Sequence, residues 1–434
     1  MRKMKDSGIE WIGEIPENWD TIRVKHLATE KDTLFLDGDW INSDVIVDEG
    51  IRYLTSGNVG EGVYKEQGKG YISEETFNKL NCLTVYPGDL MISRLNEPVG
   101  RCCIVPEGEK YYVVAVDNVI LRPNYNFHKK YLLYCMNTTG YARAALMAAS
   151  GTTMQRISRT SLGNMAVPVA SYEEQFLIAD YLDQKCAEID AIISAKEKTN
   201  ELLKERRQSI IYEAVTKGLD PTVPMKDSGI EWIGEIPESW ICKKIKYAFS
   251  LVAGATPKSG NEEYWDGDII WITPADYTTE DIYIYEGHKT ITTEGLNSCA
   301  TTMIPEESIV FSKRAPIGLV AINKVPLCTN QGCISCIPNK DIDSKFYYYV
   351  MSAFTKEFDL FGSGTTFKEI SAEAFANFVL PNTRIEEQIE IAEYLDLKCQ
   401  EINDLISSNN ATIEKLKEYR QSVIYEAVTG KIEV

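Results

Sequence analysis

The chain has 434 residues, of which 44% are hydrophobic and 25% are charged, and its formal net charge is −19. These totals are ordinary for a globular protein of about three domains with a sizeable core. The sequence has no apolar run long enough for a secretory signal or a membrane span, so we expect a cytoplasmic protein without a membrane partner. The acidic surplus argues against binding of nucleic acid through a broad basic surface.

The cysteines are expected to be apolar core residues. There are 11 of them, an odd number in a chain without an export signal, which favours reduced thiols. Cys328, Cys333 and Cys336 approach a metal-ligand spacing, and the last two form a CxxC. The chain has only 3 histidines and no second CxxC. We therefore expect buried strand cysteines and no metal site.

Two segments of the sequence occur twice. Residues 4–19, MKDSGIEWIGEIPENW, return at 225–240 with one change, Asn18 against Ser239. Residues 173–216 return without a gap at 386–429. A period above two hundred residues is too long for a solenoid and indicates two domain-sized copies of one unit.

The first repeated segment carries the apolar residues Trp11, Ile12, Ile15 and Trp19 among glycines and prolines. We expect a structural lid that packs its tryptophans on the domain behind it. From about residue 50 to 125 the chain shows short β-rich runs, such as IRYLTS, CLTVYPGDLMIS and YYVVAVDNVIL. The second half repeats this order with different residues, so each half is predicted to form one α+β domain.

The second repeated segment predicts a long helix in each half. Ser171 and Thr383 each begin a capping box, and Gly218 and Gly430 stand where a glycine ends a helix. About 45 residues separate the caps, which corresponds to a rod of roughly 65 Å.

Both predicted helices show the alternating three- and four-residue spacing of a coiled-coil seam. Two central seam positions of the first helix, Lys196 and Asn200, are polar, which weakens packing but can fix the register. The seam residues are Ala179, Leu182, Cys186, Ile189, Ile193, Lys196, Asn200, Leu203, Arg207, Ile210 and Ala214 in the first helix, and Ala392, Leu395, Cys399, Ile402, Ile406, Asn409, Ile413, Leu416, Arg420, Val423 and Ala427 in the second.

Short connections at both helix ends favour an antiparallel pair. The predicted fold class is therefore α+β, with two globular domains joined by two long helices in an antiparallel coiled coil and a pseudo-twofold internal repeat. One head is expected at each end of the double rod. The predicted boundaries are 1–170 for the first globular domain, 171–218 for the first helix, 219–383 for the second globular domain and 384–434 for the second helix.

A search for catalytic motifs favours a binding protein. The sequence has no Pro-Pro dipeptide, which the usual amino-methyltransferase loop requires, and no Pro-Asp dipeptide, with which the common nuclease pattern begins. It also has no GxxxxGK[ST], the phosphate-binding loop of many ATPases. The triplets at 183–185 and 396–398 have the form Asp-x-Lys, but they lie in the predicted helices and are interpreted as solvated faces. Catalysis is thus assigned to a partner, and no catalytic or metal-binding residue is predicted.

The repeated motifs together resemble the specificity subunit of type I restriction-modification systems. They are DSGIEWIGEIPENW with its copy, the loops GTTMQRIS and GTTFKEIS, and the junctions EEQFLIADYL and EEQIEIAEYL. The resemblance implies two target recognition domains, each reading one half of a split, asymmetric site in double-stranded DNA, with the helices setting the gap. It also implies two methyltransferase (modification) subunits and restriction/translocase subunits as partners. No cofactor is expected in this chain, since S-adenosylmethionine, ATP and magnesium would belong to the partners.

Candidate base readers are polar or basic residues in loops of the variable blocks, because Arg and Lys suit guanine whereas Asn and Gln suit adenine. They are Arg94, Asn96, Gln155 and Arg156 in the first half, and Lys258, Lys313, Arg314, Gln331 and Lys368 in the second.

Two other functions stay open at this point. A coiled-coil adaptor with two protein-binding heads would suit the acidic charge, whereas repeated framing segments around unlike heads suit exchangeable DNA-reading modules better. A nuclease without the usual motif is the third alternative. If the chain reads DNA despite its acidic charge, two explanations are open. Local basic patches suffice for contact with the phosphate backbone, or partner subunits supply that contact while this chain reads the bases.

Overall fold

The computed structural model describes residues 2–95, 98–151, 154–279, 281–314, 316–364 and 368–434. The chain forms two compact units, one of Met1–Lys196 with Asn410–Val434 and one of Glu197–Asn409. Within the described ranges, each helix is too short or too polar to span a membrane.

The first unit contains a mixed set of short strands and helices around one main core. Its strands are β1 (Met4–Asp6), β2 (Glu14–Pro16), β3 (Asp20–Arg23), β4 (Leu34–Asp37), β5 (Ile51–Leu54), β6 (Tyr71–Ile72), β7 (Leu90–Ser93), β8 (Cys102–Ile104), β9 (Val113–Val114), β10 (Asn118–Arg122) and β11 (Ala166–Val169). Its helices are α1 (Glu74–Leu80), α2 (Lys129–Cys135), α3 (Thr139–Met147), α4 (Arg159–Asn164) and the start of the long α5 (Tyr172–Lys217), with 3-10 turns at Val24–Leu27, Ser43–Val45 and Ser56–Asn58.

The second unit follows a similar order of elements, with one additional strand, β17 (Tyr283–Ile284). Its strands are β12 (Met225–Asp227), β13 (Glu235–Pro237), β14 (Ile241–Lys244), β15 (Phe249–Ala253), β16 (Trp265–Ile272), β17 (Tyr283–Ile284), β18 (Lys289–Ile291), β19 (Ile309–Lys313), β20 (Ile317–Asn323), β21 (Cys328–Thr329), β22 (Cys333–Pro338) and β23 (Val379–Asn382). Its helices are α6 (Ile245–Ala248), α7 (Thr293–Asn297), α8 (Ser344–Ala353), α9 (Thr355–Leu360), α10 (Ala372–Asn377) and the start of the long α11 (Ile385–Val428), with a 3-10 turn at Glu262–Tyr264.

The main sheet of each unit has the same strand order. It is β4-β10-β7-β8 in the first unit and β15-β22-β19-β20, with β17 added at the edge, in the second. The predicted repeat of an α+β framework with different residues is therefore confirmed. The edge strands β4 and β15 precede the β-rich runs predicted from the sequence, and β4 ends with Asp37, which belongs to the site described below.

The long helices pair in antiparallel fashion within each unit. In the first unit the start of α5 shares a hydrophobic cluster with the end of α11, and in the second unit the end of α5 shares one with the start of α11. Each predicted seam residue is buried or half-buried. The polar seam position Asn200 accepts a hydrogen bond from Asn409 at 2.9 Å, as expected for a register-fixing pair.

The predicted helix ends are largely confirmed. Ser171 caps α5 by accepting a hydrogen bond from the Glu174 N–H at 3.2 Å. Gly218 and Gly430 both take the left-handed backbone that a C-terminal glycine permits, at φ +74° and +70°. The second cap differs from the predicted capping box. Helix α11 begins at Ile385, and the Thr383 hydroxyl donates a hydrogen bond to the Glu387 carboxylate.

The repeated lids pack as predicted. Trp19 and Trp240 are fully buried, and their indole N–H groups donate to Glu174 at 2.9 Å and Glu387 at 3.1 Å. Each lid also contacts a long helix from the other sequence repeat. The Tyr425 hydroxyl donates to the Ile12 carbonyl at 3.0 Å.

The interpretation of the Asp-x-Lys triplets as solvated faces is wrong for their aspartates. Asp183 accepts a hydrogen bond from the Tyr134 hydroxyl at 2.8 Å, and Asp396 accepts one from Tyr349 at 2.7 Å. A lysine from the same short helix, Lys130 in the first unit, also pairs with the aspartate. These contacts fasten α2 and α8 to the long helices. The residue pattern of the long helix does not predict these contacts, because their partners lie about 50 residues away in sequence.

The three cysteines with metal-like spacing belong to separate parts of the core. Cys328, Cys333 and Cys336 are buried in three different hydrophobic clusters. Burial raises the pKa of the Cys328 thiol to about 11 and that of the Cys333 thiol to about 12. Both therefore behave as the small apolar residues that the sequence predicts.

Candidate nucleic-acid interface

In the first unit, three chain segments meet where strands of the main sheet end. Asp37 is the last residue of β4, and Arg94 follows β7. The Arg94 N–H donates to the Asp117 carbonyl at 2.9 Å, and the Arg94 carbonyl accepts from the Ile157 N–H at 3.0 Å. These backbone bonds bring the loop after β7, the turn before β10 and the loop that contains Arg156 to one place.

The side chains at this place form ion pairs. Arg94 lies 3.3 Å from Asp37 and donates to the Val116 carbonyl at 2.7 Å. Only 7% of Arg94 is exposed, and burial lowers the pKa of its guanidinium, although Asp37 opposes this effect. Arg156 pairs with Asp117 at 2.8 Å, and 46% of its side chain is exposed. Arg159 at the start of α4 lies 3.4 Å from Asp37. We call Asp37, Arg94, Asp117, Arg156 and Arg159 the first strand-end cluster.

The second unit builds the same backbone arrangement. The Lys313 N–H donates to the Gly332 carbonyl at 2.9 Å, and its carbonyl accepts from the Ile370 N–H at 3.0 Å. In both units a glycine-bounded loop closes on itself through paired backbone bonds. Ser150 pairs with Arg156 at 2.9 and 3.0 Å, and Ser363 pairs with Glu369 at 3.0 Å in both directions.

The side chains of the second unit differ from those of the first. Lys313 pairs with Glu369 at 2.7 Å, and Arg314 lies 3.6 Å from the same carboxylate. Gln331, in the turn before β22, accepts a hydrogen bond from Thr256. We call Lys313, Arg314, Gln331 and Glu369 the second strand-end cluster.

The strand registers and backbone bonds allow the two clusters to be compared position by position. Asp37 lies opposite Val119, whereas Ala253 lies opposite Ile334 in the equivalent strand pair. Five pairs of positions are equivalent, and each is given with the residue of the first unit before that of the second: Asp37 with Ala253, Trp40 with Thr256, Arg94 with Lys313, Asp117 with Gly332, and Arg156 with Glu369. One backbone arrangement therefore presents two different sets of hydrogen-bonding groups.

Several predicted base readers lie in these clusters. Arg94 and Arg156 belong to the first cluster, with Gln155 beside them, and Lys313, Arg314 and Gln331 form most of the second. The other predicted readers lie at the margin or outside the described residues. Lys368 is exposed and pairs with Asp359 at 2.7 Å, Lys258 is exposed two residues after Thr256, and Asn96 lies outside the described residues.

The sequence interpretation overlooked the acidic members of both clusters. The predicted base readers are all basic or amide side chains, so Asp37, Asp117 and Glu369 are not among them. A signal for one of them existed in the repeat itself. The loops GTTMQRIS and GTTFKEIS place Arg156 and Glu369 at the same position, a reversal of charge inside an otherwise similar segment.

An exposed tryptophan flanks the first cluster. Trp40 is 73% exposed, and its indole N–H donates to the Asn42 side chain at 3.0 Å. The preceding residue, Asp39, donates its N–H to the Val114 carbonyl at 2.7 Å and accepts from the Val116 N–H at 2.9 Å. Trp40 is thus held at the edge of the turn that carries Asp117. A large aromatic surface in this setting is suited to contact with nucleic acid or protein.

Comparison with known proteins identifies the family. The profile of the type I restriction modification DNA specificity domain matches residues 16–204 and 237–415, once in each half of the chain. The putative type I restriction enzyme MjaX specificity subunit of Methanocaldococcus jannaschii is 26% identical over 98% of this chain and 96% of its own length. The MjaIX specificity subunit of the same organism is 38% identical, but the match covers 42% of this chain and 43% of that protein.

Solved structures share the fold. A chain from a structure that describes complex assembly and conformational transition of the type I R-M system has a TM-score of 0.75 at 15% identity, with 96% of this chain and 99% of that chain covered. The HsdS subunit from Thermoanaerobacter tengcongensis has a TM-score of 0.55 at 15% identity, covering 96% and 98%. The chain therefore belongs to the specificity-subunit family of type I restriction-modification systems, and it is a DNA sequence-recognition subunit.

Proposed function

We propose that the two units read the two halves of a split, asymmetric DNA site, one half-site per unit. One observation carries this proposal: the two strand-end clusters share a backbone arrangement but differ in their polar side chains. Base edges in the major groove are distinguished by their patterns of donors and acceptors. Two unlike sets of donors and acceptors are therefore suited to two unlike half-sites.

The paired helices would set the unspecified gap between the half-sites. In this proposal the chain acts in the cytoplasm, where it recognises DNA and catalyses no reaction itself. Two methyltransferase subunits and restriction/translocase subunits assemble on it. Those partners would bind S-adenosylmethionine, ATP and magnesium. The specificity-subunit names of the relatives support an assembly of this kind.

The ion pairs in both clusters bear on how an acidic chain contacts DNA. Arg156 and Lys313 are already paired with carboxylates, so the clusters bring little net positive charge to the phosphate backbone. Phosphate contacts supply most of the affinity of DNA-binding proteins, whereas base contacts supply specificity. We therefore assign base recognition to this chain and much of the backbone contact to its partners.

The test is co-expression of the full chain with its methyltransferase partner in a methylation-free host, followed by genome-wide mapping of modified bases. We expect a two-part asymmetric motif with a fixed gap. A stable complex that leaves the genome unmodified would contradict the proposal and favour the adaptor function.

A second arm assigns each half-site to a unit. The variable block of the first unit is exchanged for that of a relative, while the long helices stay unchanged. We expect one half of the motif to change and the gap to stay the same. A change in both halves, or in the gap alone, would contradict the assignment of one half-site to each unit.

A further inference from the structure

We propose that Glu369 is a specificity-determining residue that reads a cytosine in the half-site of the second unit. The inference rests on the proposed function and deepens it, since it names a base at one position of one half-site.

The backbone fixes the place of Glu369. Its N–H and carbonyl both pair with Ser363 at 3.0 Å, and the next residue, Ile370, is bonded to the Lys313 carbonyl at 3.0 Å. Ile370 is fully buried, which anchors the loop from behind. The Glu369 side chain is 34% exposed, so a carboxylate on a well-held backbone is accessible to a ligand.

The carboxylate retains capacity to accept hydrogen bonds. Its Oε1 atom lies 2.7 Å from the Lys313 ammonium, whereas Oε2 lies 3.6 Å from Arg314, which exceeds hydrogen-bonding distance. An ionised carboxylate has about four lone-pair sites on its two oxygens. Glu369 can therefore keep its pair with Lys313 while Oε2 accepts from a base.

The chemistry of the base edges selects cytosine. In the major groove cytosine presents an N4 amino donor, and a carboxylate accepts from it. Adenine also presents an amino donor, but its N7 acceptor lies beside that donor and repels a carboxylate. Guanine and thymine present acceptors at the corresponding positions. Lys313 and Arg314, which flank Glu369, are donors that suit the O6 and N7 atoms of the paired guanine.

The first unit provides an internal comparison. At the position of Glu369 it has Arg156, whose guanidinium only donates hydrogen bonds. A donor and an acceptor at the same place on the same backbone favour different atoms on the base edges, with guanine suited to Arg156 and cytosine to Glu369. The residue at this position is thus expected to distinguish the two half-sites.

The experiment compares Glu369→Gln and Glu369→Ala with the wild-type chain, each co-expressed with the methyltransferase partner in a methylation-free host. Mapping of modified bases gives the motif, and binding of the purified complexes to duplexes with each base pair in turn gives the affinities. Glu307→Gln is the matched control, because Glu307 forms a similar exposed pair with Lys324 in the same unit. Arg156→Gln is the counterpart in the first unit.

We expect Glu369→Ala to relax one C·G position of the second half-site, with a loss of about 5- to 100-fold in discrimination there. Glu369→Gln should admit adenine at that position, since an amide both donates and accepts. Glu307→Gln should leave the motif unchanged, and Arg156→Gln should affect only the other half-site.

The outcomes separate this inference from the proposed function. A wild-type complex without a two-part motif would overturn both. A normal wild-type motif that both Glu369 variants retain would overturn the inference alone. So would an effect at a position other than a C·G pair, or an equal loss of affinity for all sequences, which would assign Glu369 a purely structural role.

Discussion

Asn409 donates a side-chain hydrogen bond to Asn200 at 2.9 Å across the two long helices of the second unit. Both residues occupy seam positions that leucine or isoleucine could fill with better packing. A polar pair in such a seam favours one register over its alternatives, because a shifted helix would separate the two amides.

A double-mutant cycle with Asn200→Ala and Asn409→Ala tests this contact. We expect a coupling energy of about 0.5–1.5 kcal/mol between the two sites, measured by denaturant unfolding. Ser407→Ala, at an exposed position on the same helix, is the control and should shift the free energy of unfolding by less than about 0.5 kcal/mol. Strictly additive effects would show that the two amides do not stabilise each other.

The aspartates that fasten short helices to long ones should matter for stability. Replacing Asp396 with Ala removes the acceptor of the Tyr349 hydroxyl, which bonds it at 2.7 Å, and leaves Lys345 without its carboxylate. We expect the free energy of unfolding to fall by about 1–3 kcal/mol. Glu393→Ala, one helical turn away and exposed, is the matched control. Equal stability of the two variants would show that the Asp396 contacts are replaced by water without cost.

Arg94 and Arg156, two of the three arginines of the first cluster, should separate stability from specificity. Arg94→Ala removes a buried guanidinium that contacts Asp37 and the Val116 carbonyl, so it should lower stability by about 1–3 kcal/mol. Arg156→Ala removes an exposed side chain, so stability should change by less than about 0.5 kcal/mol. The same variant should weaken discrimination in the first half-site by about 5- to 100-fold. Melting curves and duplex binding of the complex measure the two effects, and the opposite assignment of the effects would make Arg94 the base reader.

Trp40 offers an optical signal for DNA binding. It is exposed, whereas the other tryptophans are buried or half-buried. We expect addition of specific duplex to the complex to quench tryptophan emission and to protect it from acrylamide. Trp40→Phe should abolish most of this change while leaving an aromatic ring in place. An unchanged response in Trp40→Phe would place Trp40 outside the interface.

The salt dependence of DNA binding should differ between the isolated chain and its complex. The net charge of the chain is −19, and the cations of both clusters lie close to carboxylates, so we expect the chain alone to bind DNA weakly. Its affinity should decrease steeply between about 50 and 200 mM salt. The complex with the methyltransferase partner should bind tightly and specifically. Fluorescence anisotropy with matched specific and scrambled duplexes measures both. Tight, specific binding by the isolated chain at physiological salt would contradict the division of labour proposed here.

The sequence predicted the long helices well because their signals are long and redundant. A seam that extends over about 45 residues, with a cap at one end and a glycine at the other, has few alternative interpretations. Strands β4 and β15 are different, since each is short and half-exposed and precedes the clearest β-rich runs. Their pairing with β10 and β22 depends on contacts across more than 80 residues of sequence, which local pattern does not encode.

The candidate site was predicted only in part for a related reason. The loops that carry Arg156 and Lys368 were identified from the repeat, but Asp37, Arg94 and Arg156 come from three distant segments. The strand register determines which carboxylate pairs with which cation. A single sequence does not reveal that register. The role of Glu369 follows only once its pairing with Lys313 is seen.

The first unit depends on residues from both ends of the chain, and this affects how the protein is made. The Tyr131 hydroxyl lies 3.1 Å from the Val428 carbonyl, and Ile12 is bonded to Tyr425, whereas the second unit is one continuous segment. During synthesis the second unit can therefore fold first. The first unit, although most of it is translated earlier, completes its fold only after residues 410–434 have been synthesised. A nonsense mutation shortly before Val423 would thus damage the half of the molecule that was translated first.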